Sequence, residues 1–297
     1  MGKGNKLLNK KLLNKKRLML FFKGMAMGAA DTVPGVSGGT IAFITNIYEE
    51  LIFSIQACNL KALQILYKEG LSAAWKQING TFLLILFLGI ISSAILLANI
   101  VGFLLDNYEA YVMSFFIGLI LASGLYIRKQ ITDWSYQKYF LLLAGIFLAV
   151  SLNFIPQSDN QMNLLFVFFS GAIAICAMIL PGISGAFILL LLGAYEGVLE
   201  AVRNIDLIIL LPFMAGCIVG LISFSNFLAY LLGHWRAQTL TFLLGVLIGS
   251  LYSMWPSQLS IEEFSFSFFS LFVILVLSGF FLVYFLDKKV QPTESAE

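Results

Sequence analysis

Residues 30–50 read ADTVPGVSGGTIAFITNIYEE, and residues 177–197, 147 positions later, read AMILPGISGAFILLLLGAYEG. Laying residues 24–51 on 171–198 without gaps gives nine identities: Gly24, Ala30, Pro34, Gly35, Ser37, Gly38, Ile41, Tyr48 and Glu49. A Pro-Gly-x-Ser-Gly break in an apolar run frees backbone groups that lipid cannot satisfy. One such copy reads as a kink packed by small residues. Two copies at matched positions read as a transporter built from two repeats, with its binding site where the broken helices meet.

The composition agrees. Hydrophobic residues make up 60% of the 297-residue chain and charged residues 11%, against about 25% charged residues in soluble domains. Apolar runs at 82–105, 111–127, 139–155, 207–232, 239–255 and 266–286 approach or exceed the roughly 20 residues that cross a bilayer. The first 23 residues hold eight Lys/Arg and no acid, and no small-residue cleavage site follows them. They are too basic for a cleavable signal peptide. They read as a basic amphipathic segment on anionic lipid, or as a solvated basic tail.

The repeat continues beyond the motif. Residues 89–125 align with 216–252 at a constant offset of 127, which pairs Gly89 with Gly216, Asn99 with Asn226, Gly118 with Gly245 and Ser123 with Ser250. The offset drops because the first half carries a longer loop, roughly 56–80. The expected fold is therefore an all-α polytopic membrane protein of two inverted repeats, each a re-entrant broken helix plus three transmembrane helices. Repeat 1 covers 24–160, with its re-entrant element at 24–55; repeat 2 covers 161–286, with its element at 163–200; a cytoplasmic tail occupies 287–297.

Basic residues support this topology. With a cytoplasmic amino terminus and both broken elements re-entrant, the segments 1–23, 56–80, 128–138, 233–238 and 287–297 face the cytoplasm and hold 17 of the 18 Lys/Arg. Only Arg203 lies outside, and the external loops 106–109, 156–161 and 256–263 hold none. Full crossing by the broken elements would move Lys61, Lys68, Lys76, Arg128, Lys129 and Lys138 outside, against the positive-inside rule. The second arm of the first element, 36–47, is 12 residues long, about 18 Å of helix against a core of about 30 Å. It reaches midway.

Pro34 and Pro181 stop one helical arm of each element. Gly35, Gly38, Gly39, Gly182 and Gly185 permit a sharp turn and close approach of a ligand. The following arm begins with unpaired N–H groups and the positive end of its dipole, which suits phosphate or carboxylate. Ser37, Thr40 and Ser184 can cap those arms or donate to an anion. Ala186 and Phe187 replace Gly39 and Thr40 in the second motif, so the half-sites are not equivalent donors. Asp31, a carboxylate at membrane depth, is a candidate for coupling to a proton or sodium ion, or a cap for the turn. Glu49, Glu196 and Arg236 are secondary candidates. Arg236 could attract a phosphate group or simply set topology, and His234 beside it reads as interfacial.

Other chemistries find little support. The three cysteines, Cys58, Cys176 and Cys217, form no C-x-x-C pair, and one histidine cannot build a multi-histidine metal centre. No metal or organic cofactor is expected, no feature points to nucleic acid, and there is no Gly-rich nucleotide loop. A lipid phosphatase or transferase would need a nucleophile–base pair or metal cluster that is not evident. The main rival reading is an ion-coupled carrier of a small soluble anion. A groove lined by apolar residues and open to lipid would favour a lipid substrate instead. Homo-oligomerisation stays open.

GAADTVPGVSGGTIAFITNIYEEL (28–51), LPGISGAFILLLLGAYEGVL (180–199) and RAQTLTFLLGVLIGSLYSMWP (236–256) resemble the PopT-like family of undecaprenyl phosphate translocases. The resemblance covers nearly the whole chain. It implies a transporter in the bacterial cytoplasmic membrane that returns undecaprenyl phosphate from the outer to the inner leaflet. The carrier lipid is then reused for peptidoglycan and other envelope polymers. The residues of the two paired motifs are the implied headgroup site.

The charge pattern makes a testable statement about sidedness. Single cysteines replacing Lys68 and Lys129 are expected to react with impermeant thiol reagents from the cytoplasmic side, and those replacing Asn107 and Ser158 from the outside. External labelling at position 68 or 129 would end the inverted-repeat topology.

Overall fold

The computed structural model describes residues 2–31, 37–156, 163–254 and 266–290. Helix α1 (Gly2–Asp31) is a single helix of 30 residues. The basic segment and the first arm of the broken element are therefore continuous, where a boundary after residue 23 was expected. Lys, Leu, Met and Ala, all good helix formers, run through the junction and give the helix no reason to stop there. It ends at Asp31, three residues before Pro34 in the sequence, and proline is a residue type that does not continue a helix. Pro34 and Gly35 themselves lie outside the described residues.

The second arms are shorter than the sequence suggests. They are α2 (Gly38–Ile44), of 7 residues, and its counterpart α10 (Gly185–Leu192), of 8 residues. Each is stopped by a residue in the left-handed region, Asn46 at φ 58° and Gly193 at φ 73°, and these two occupy matched positions of the repeat. The chain then turns into α3 (Tyr48–Gln56) and α11 (Tyr195–Asn204). Between α10 and α11 the bend is 109°. Tyr48-Glu49 and Tyr195-Glu196 open these two helices. The stretch read as a loop over 56–80 holds two short helices, α4 (Leu60–Glu69) and α5 (Leu71–Gln77).

The spans follow. In the first half they are α6 (Gly80–Leu96), α7 (Ala98–Gln130) and α8 (Tyr136–Ser151). In the second half α9 (Leu164–Ile179) is the first arm of the broken element, and α12 (Leu207–His234), α13 (Arg236–Gly249), α14 (Leu251–Met254) and α15 (Phe266–Val290) follow. The expected loop at 106–109 is instead a one-residue break at Tyr108, with φ −142° and ψ 32° inside α7. Its repeat counterpart is Trp235, between α12 and α13, with φ −133° and ψ 49°. Among the described residues, four helices are long and apolar enough to cross a membrane, and six if each bent pair counts as one span. Large apolar side chains such as Ile95, Phe140, Phe147 and Ile208 are more than 70% exposed, as a lipid-facing surface requires. The chain is an all-α, multi-pass membrane protein.

Helix contacts come in matched sets. α1 packs along α6 and α9 along α12; α7 packs along α15 and α8 along α13. Glycines make each crossing tight, because small residues let helix backbones approach in the absence of a hydrophobic driving force. A Cβ on Gly24 would lie 2.3 Å from the Leu86 carbonyl oxygen, and one on Gly171 would lie 2.5 Å from that of Phe213. At the other crossings, a Cβ on Gly118 would lie 1.9 Å from the Val276 oxygen, and one on Gly245 would lie 2.2 Å from the Leu142 oxygen. Gly279 against Phe115 matches Gly145 against Phe242. The correspondence therefore reaches the last span of each half at an offset of 134. The halves interleave, since α15 lies on α7 and α8 lies on α13. Some buried hydroxyls are satisfied within their own helices: Thr241 donates to the Ala237 carbonyl at 2.7 Å, and Ser123 donates to that of Leu119.

These crossings define a pair of contrasting substitutions. Gly245→Ala places a methyl group against the Leu142 backbone and is expected to destabilise by about 1–3 kcal/mol. Gly102 has nothing within 4 Å of a built Cβ, so Gly102→Ala is expected to be neutral or to stabilise by up to about 1 kcal/mol through helix propensity. Thermal unfolding in detergent measures both. A Gly245→Ala protein that melts no earlier than Gly102→Ala would remove the tight crossing.

Candidate functional site

The two broken elements meet tip to tip. In the first, Ser37 caps α2, its Oγ accepting from the Thr40 N–H at 3.3 Å. Asp31 Oδ1 accepts from the Gly38 N–H at 2.6 Å and so ties the end of the first arm to the start of the second. In the other element Ser184 caps α10, accepting from the Phe187 N–H at 3.5 Å. Among the described residues, two bonds join the elements. The Gly182 N–H donates to Thr40 Oγ1 at 2.8 Å, and Ser37 Oγ donates to the Leu180 carbonyl at 3.2 Å.

The glycines serve this contact. A Cβ on Gly39 would lie 2.6 Å from the Ile179 carbonyl oxygen, and one on Gly185 would lie 2.9 Å from that of Ala174. Gly38 leaves room for the Asp31 carboxylate, and Gly182, at φ +84°, rests against Ser250. Ser37 and Thr40 are 1% exposed and Ser184 is 9% exposed. Pro181 is buried in the turn beside Gly182. The hydroxyls named from the sequence are thus engaged with the protein itself, and the tips are closed on each other. The unequal half-sites have a structural expression: Thr40 makes the cross-contact, while its counterpart Phe187 cannot.

A second polar group sits toward the ends of α7 and α12. Arg236 Nη2 lies 2.8 Å from Glu49 Oε1, and Nε donates to the same oxygen at 2.9 Å. Arg236 also donates to Gln130 Oε1 at 3.1 Å. The secondary candidates Glu49 and Arg236 are therefore partners across the two halves. Glu196 is exposed on α11, away from that pair. His234 Nδ1 lies 2.9 Å from the Tyr230 carbonyl and its ring packs on the Tyr230 ring at 4.2 Å. Among the described residues no group of three His, Cys, Asp or Glu could hold a metal ion.

The sequence did not reveal Gln130, nor Asn46, whose Nδ2 donates to the Tyr126 hydroxyl at 2.6 Å. Lys23 was counted only as a basic residue, yet its ammonium donates to the Thr45 carbonyl at 2.6 Å, beyond the end of α2. Pairing across the repeat was the only available signal, and these residues have no like counterpart there.

The Thr40–Gly182 bond is testable. Thr40→Val keeps the shape and leaves a buried N–H without an acceptor, so it is expected to destabilise by about 1–3 kcal/mol. Thr40→Ser is expected to keep most of the stability. Thermal unfolding in detergent separates them, and equal melting of the two variants would dismiss the bond.

Comparison with known proteins places this arrangement. A family profile described as undecaprenyl phosphate translocase-like matches residues 27–269. A polyprenyl-phosphate transporter of Vibrio cholerae serotype O1 is 47% identical over 239 residues, covering 80% of this chain and 78% of that protein. A polyprenyl-phosphate transporter of Staphylococcus aureus is 31% identical over 252 residues, covering 79% of this chain and 84% of that protein. These relatives are transporters and not enzymes. No solved structure matches the chain. With its paired broken helices and a match over most of its length, the chain belongs to the undecaprenyl phosphate translocase-like family.

Proposed function

We propose that the protein carries a polyprenyl phosphate of the undecaprenyl class from the outer to the inner leaflet of a bacterial cytoplasmic membrane. The carrier lipid is thereby returned for synthesis of peptidoglycan and other envelope polymers. Both termini face the cytoplasm, and the two repeats are inverted with respect to the membrane. The observation that carries this reading is the meeting of two matched helix breaks, through Thr40 with Gly182 and Ser37 with Leu180. Opposed elements that close on each other are what alternating access about a central site requires.

The headgroup binds when the tips part. Separation frees Thr40 Oγ1, Ser37 Oγ and the Gly182 N–H, and opens the first turns of α2 and α10. Ser37, Thr40 and Ser184, with the backbone around Gly35, Gly38, Gly39, Gly182 and Gly185, then donate to the phosphate oxygens, while Pro34 and Pro181 hold the breaks open. No full positive charge is involved at the tips, which suits a substrate that must also leave. A groove of about 570 Å³ between α7, α8, α13 and α15, lined by Leu121, Leu125, Leu142, Leu244, Ile248 and Leu251, supports a lipid tail over a small soluble anion. Asp31, beside the first break, is the group that links transport to a proton or sodium gradient.

Leaflet-specific transport in liposomes tests the function. Purified protein is expected to accelerate translocation of a labelled polyprenyl phosphate but not of labelled phosphatidylcholine; equal rates would overturn the reading. Asp31→Asn keeps an oxygen that can accept from Gly38 and removes the charge. It is expected to bind lipid and to lose the response to an imposed gradient. Wild-type, gradient-sensitive transport by Asp31→Asn would reduce Asp31 to a structural cap.

A further inference from the structure

A cavity of about 240 Å³ lies below the closed tips, lined by Phe43, Asn46, Tyr48, Glu49, Gln130 and Arg236 among others. Several independent features give it the chemistry of an anion site. It receives the first turns of two helices, α3 and α13, and neither has a side-chain cap. Their unpaired N–H groups and dipoles favour negative charge. Arg236 supplies a guanidinium and Gln130 and Asn46 supply amides. Tyr48, 3% exposed, completes the lining.

One anion already sits there, the Glu49 carboxylate. Its ion pair with Arg236 is half-exposed, at 34% and 48% for the two side chains, and such a pair contributes little to stability. A phosphate presents the same charge-assisted acceptors with greater charge, so exchanging partners costs Arg236 little. The repeat makes this chemistry one-sided. Glu196 stands at the position of Glu49, and Glu109 stands at the position of Arg236. The other half therefore lacks the basic residue of this pair.

We propose that this cavity is a second headgroup station on the cytoplasmic side of the tips, taking the phosphomonoester of the translocated lipid, with Arg236 exchanging Glu49 for phosphate oxygens. The proposal rests on the polyprenyl phosphate reading above. It makes Glu49 an internal competitor of the substrate and gives the pathway a preferred end.

Titration of farnesyl phosphate into the purified full-length protein tests it, with farnesol and inorganic phosphate as parallel ligands. Glu49→Gln removes the competitor and is expected to tighten farnesyl phosphate binding about tenfold, whereas Arg236→Gln is expected to weaken it about tenfold or more. Arg236→Lys is expected to fall between wild type and Arg236→Gln, which keeps the comparison open if the glutamine variant does not fold. Farnesol binding is expected to be unchanged throughout. Movement of Glu49→Gln and Arg236→Gln in the same direction, or of neither, overturns the station while leaving the polyprenyl phosphate reading intact. Wild-type protein that binds farnesyl phosphate no better than farnesol overturns both. Inorganic phosphate that binds as tightly as farnesyl phosphate overturns the lipid headgroup as occupant.

Discussion

Lipid offers no hydrogen bonds, so every backbone group freed by a broken helix must find a partner within the protein. The two breaks meet this demand largely with each other. The Gly182 N–H finds Thr40, the Leu180 carbonyl finds Ser37, and the Gly38 N–H finds Asp31. Neither element is complete alone in this arrangement. Parting the tips leaves orphan polar groups at membrane depth, each costing about 1–3 kcal/mol. That cost is a barrier in an empty protein, and a ligand that replaces the lost bonds lowers it. On the reading proposed above, the constraint that shapes the fold also gives the tips a reason to open for one kind of molecule.

Around the tips stands a frame of a different character. Four glycine crossings press helix against helix, and the central helices α7 and α13 each take as main partner a helix from the other half. Large side chains are not needed at these crossings, because backbone meets backbone. Beyond the tips the chain turns at two positive-φ residues, Asn46 and Gly193. Short elements set against a tightly crossed frame suit the carrier proposed above.

Much of this was legible in the sequence. Paired Pro-Gly-x-Ser-Gly breaks and six apolar runs carried the fold class, and the matched breaks pointed to a meeting of the two tips. Local exceptions escaped. The first arm is short because a single asparagine adopts the left-handed region, a choice that Asn46 permits but does not announce. Tyr108 breaks α7 without any glycine or proline. The helices α4 and α5 have only 10 and 7 residues, too few for periodicity to declare itself. The matched last spans, α8 and α15, share beside Gly145 and Gly279 only leucines and a phenylalanine (Leu141/Leu275, Leu143/Leu277, Phe147/Phe281, Leu148/Leu282), common in any apolar helix, and the crossings reveal that they correspond. Glu49 and Arg236 are 187 residues apart, and nothing in their neighbourhoods names the other.

The interleaving of the halves bears on how the chain is made. A ribosome delivers α7 to the membrane long before it delivers α15, yet Gly118 finds its backbone neighbour, Val276, only on that last helix. The first half therefore waits, inserted but unfinished, while the second is synthesised. Folding closes from the carboxyl end, and a chain cut before residue 266 would keep all the machinery of its tips while lacking the helix that clasps the frame around them.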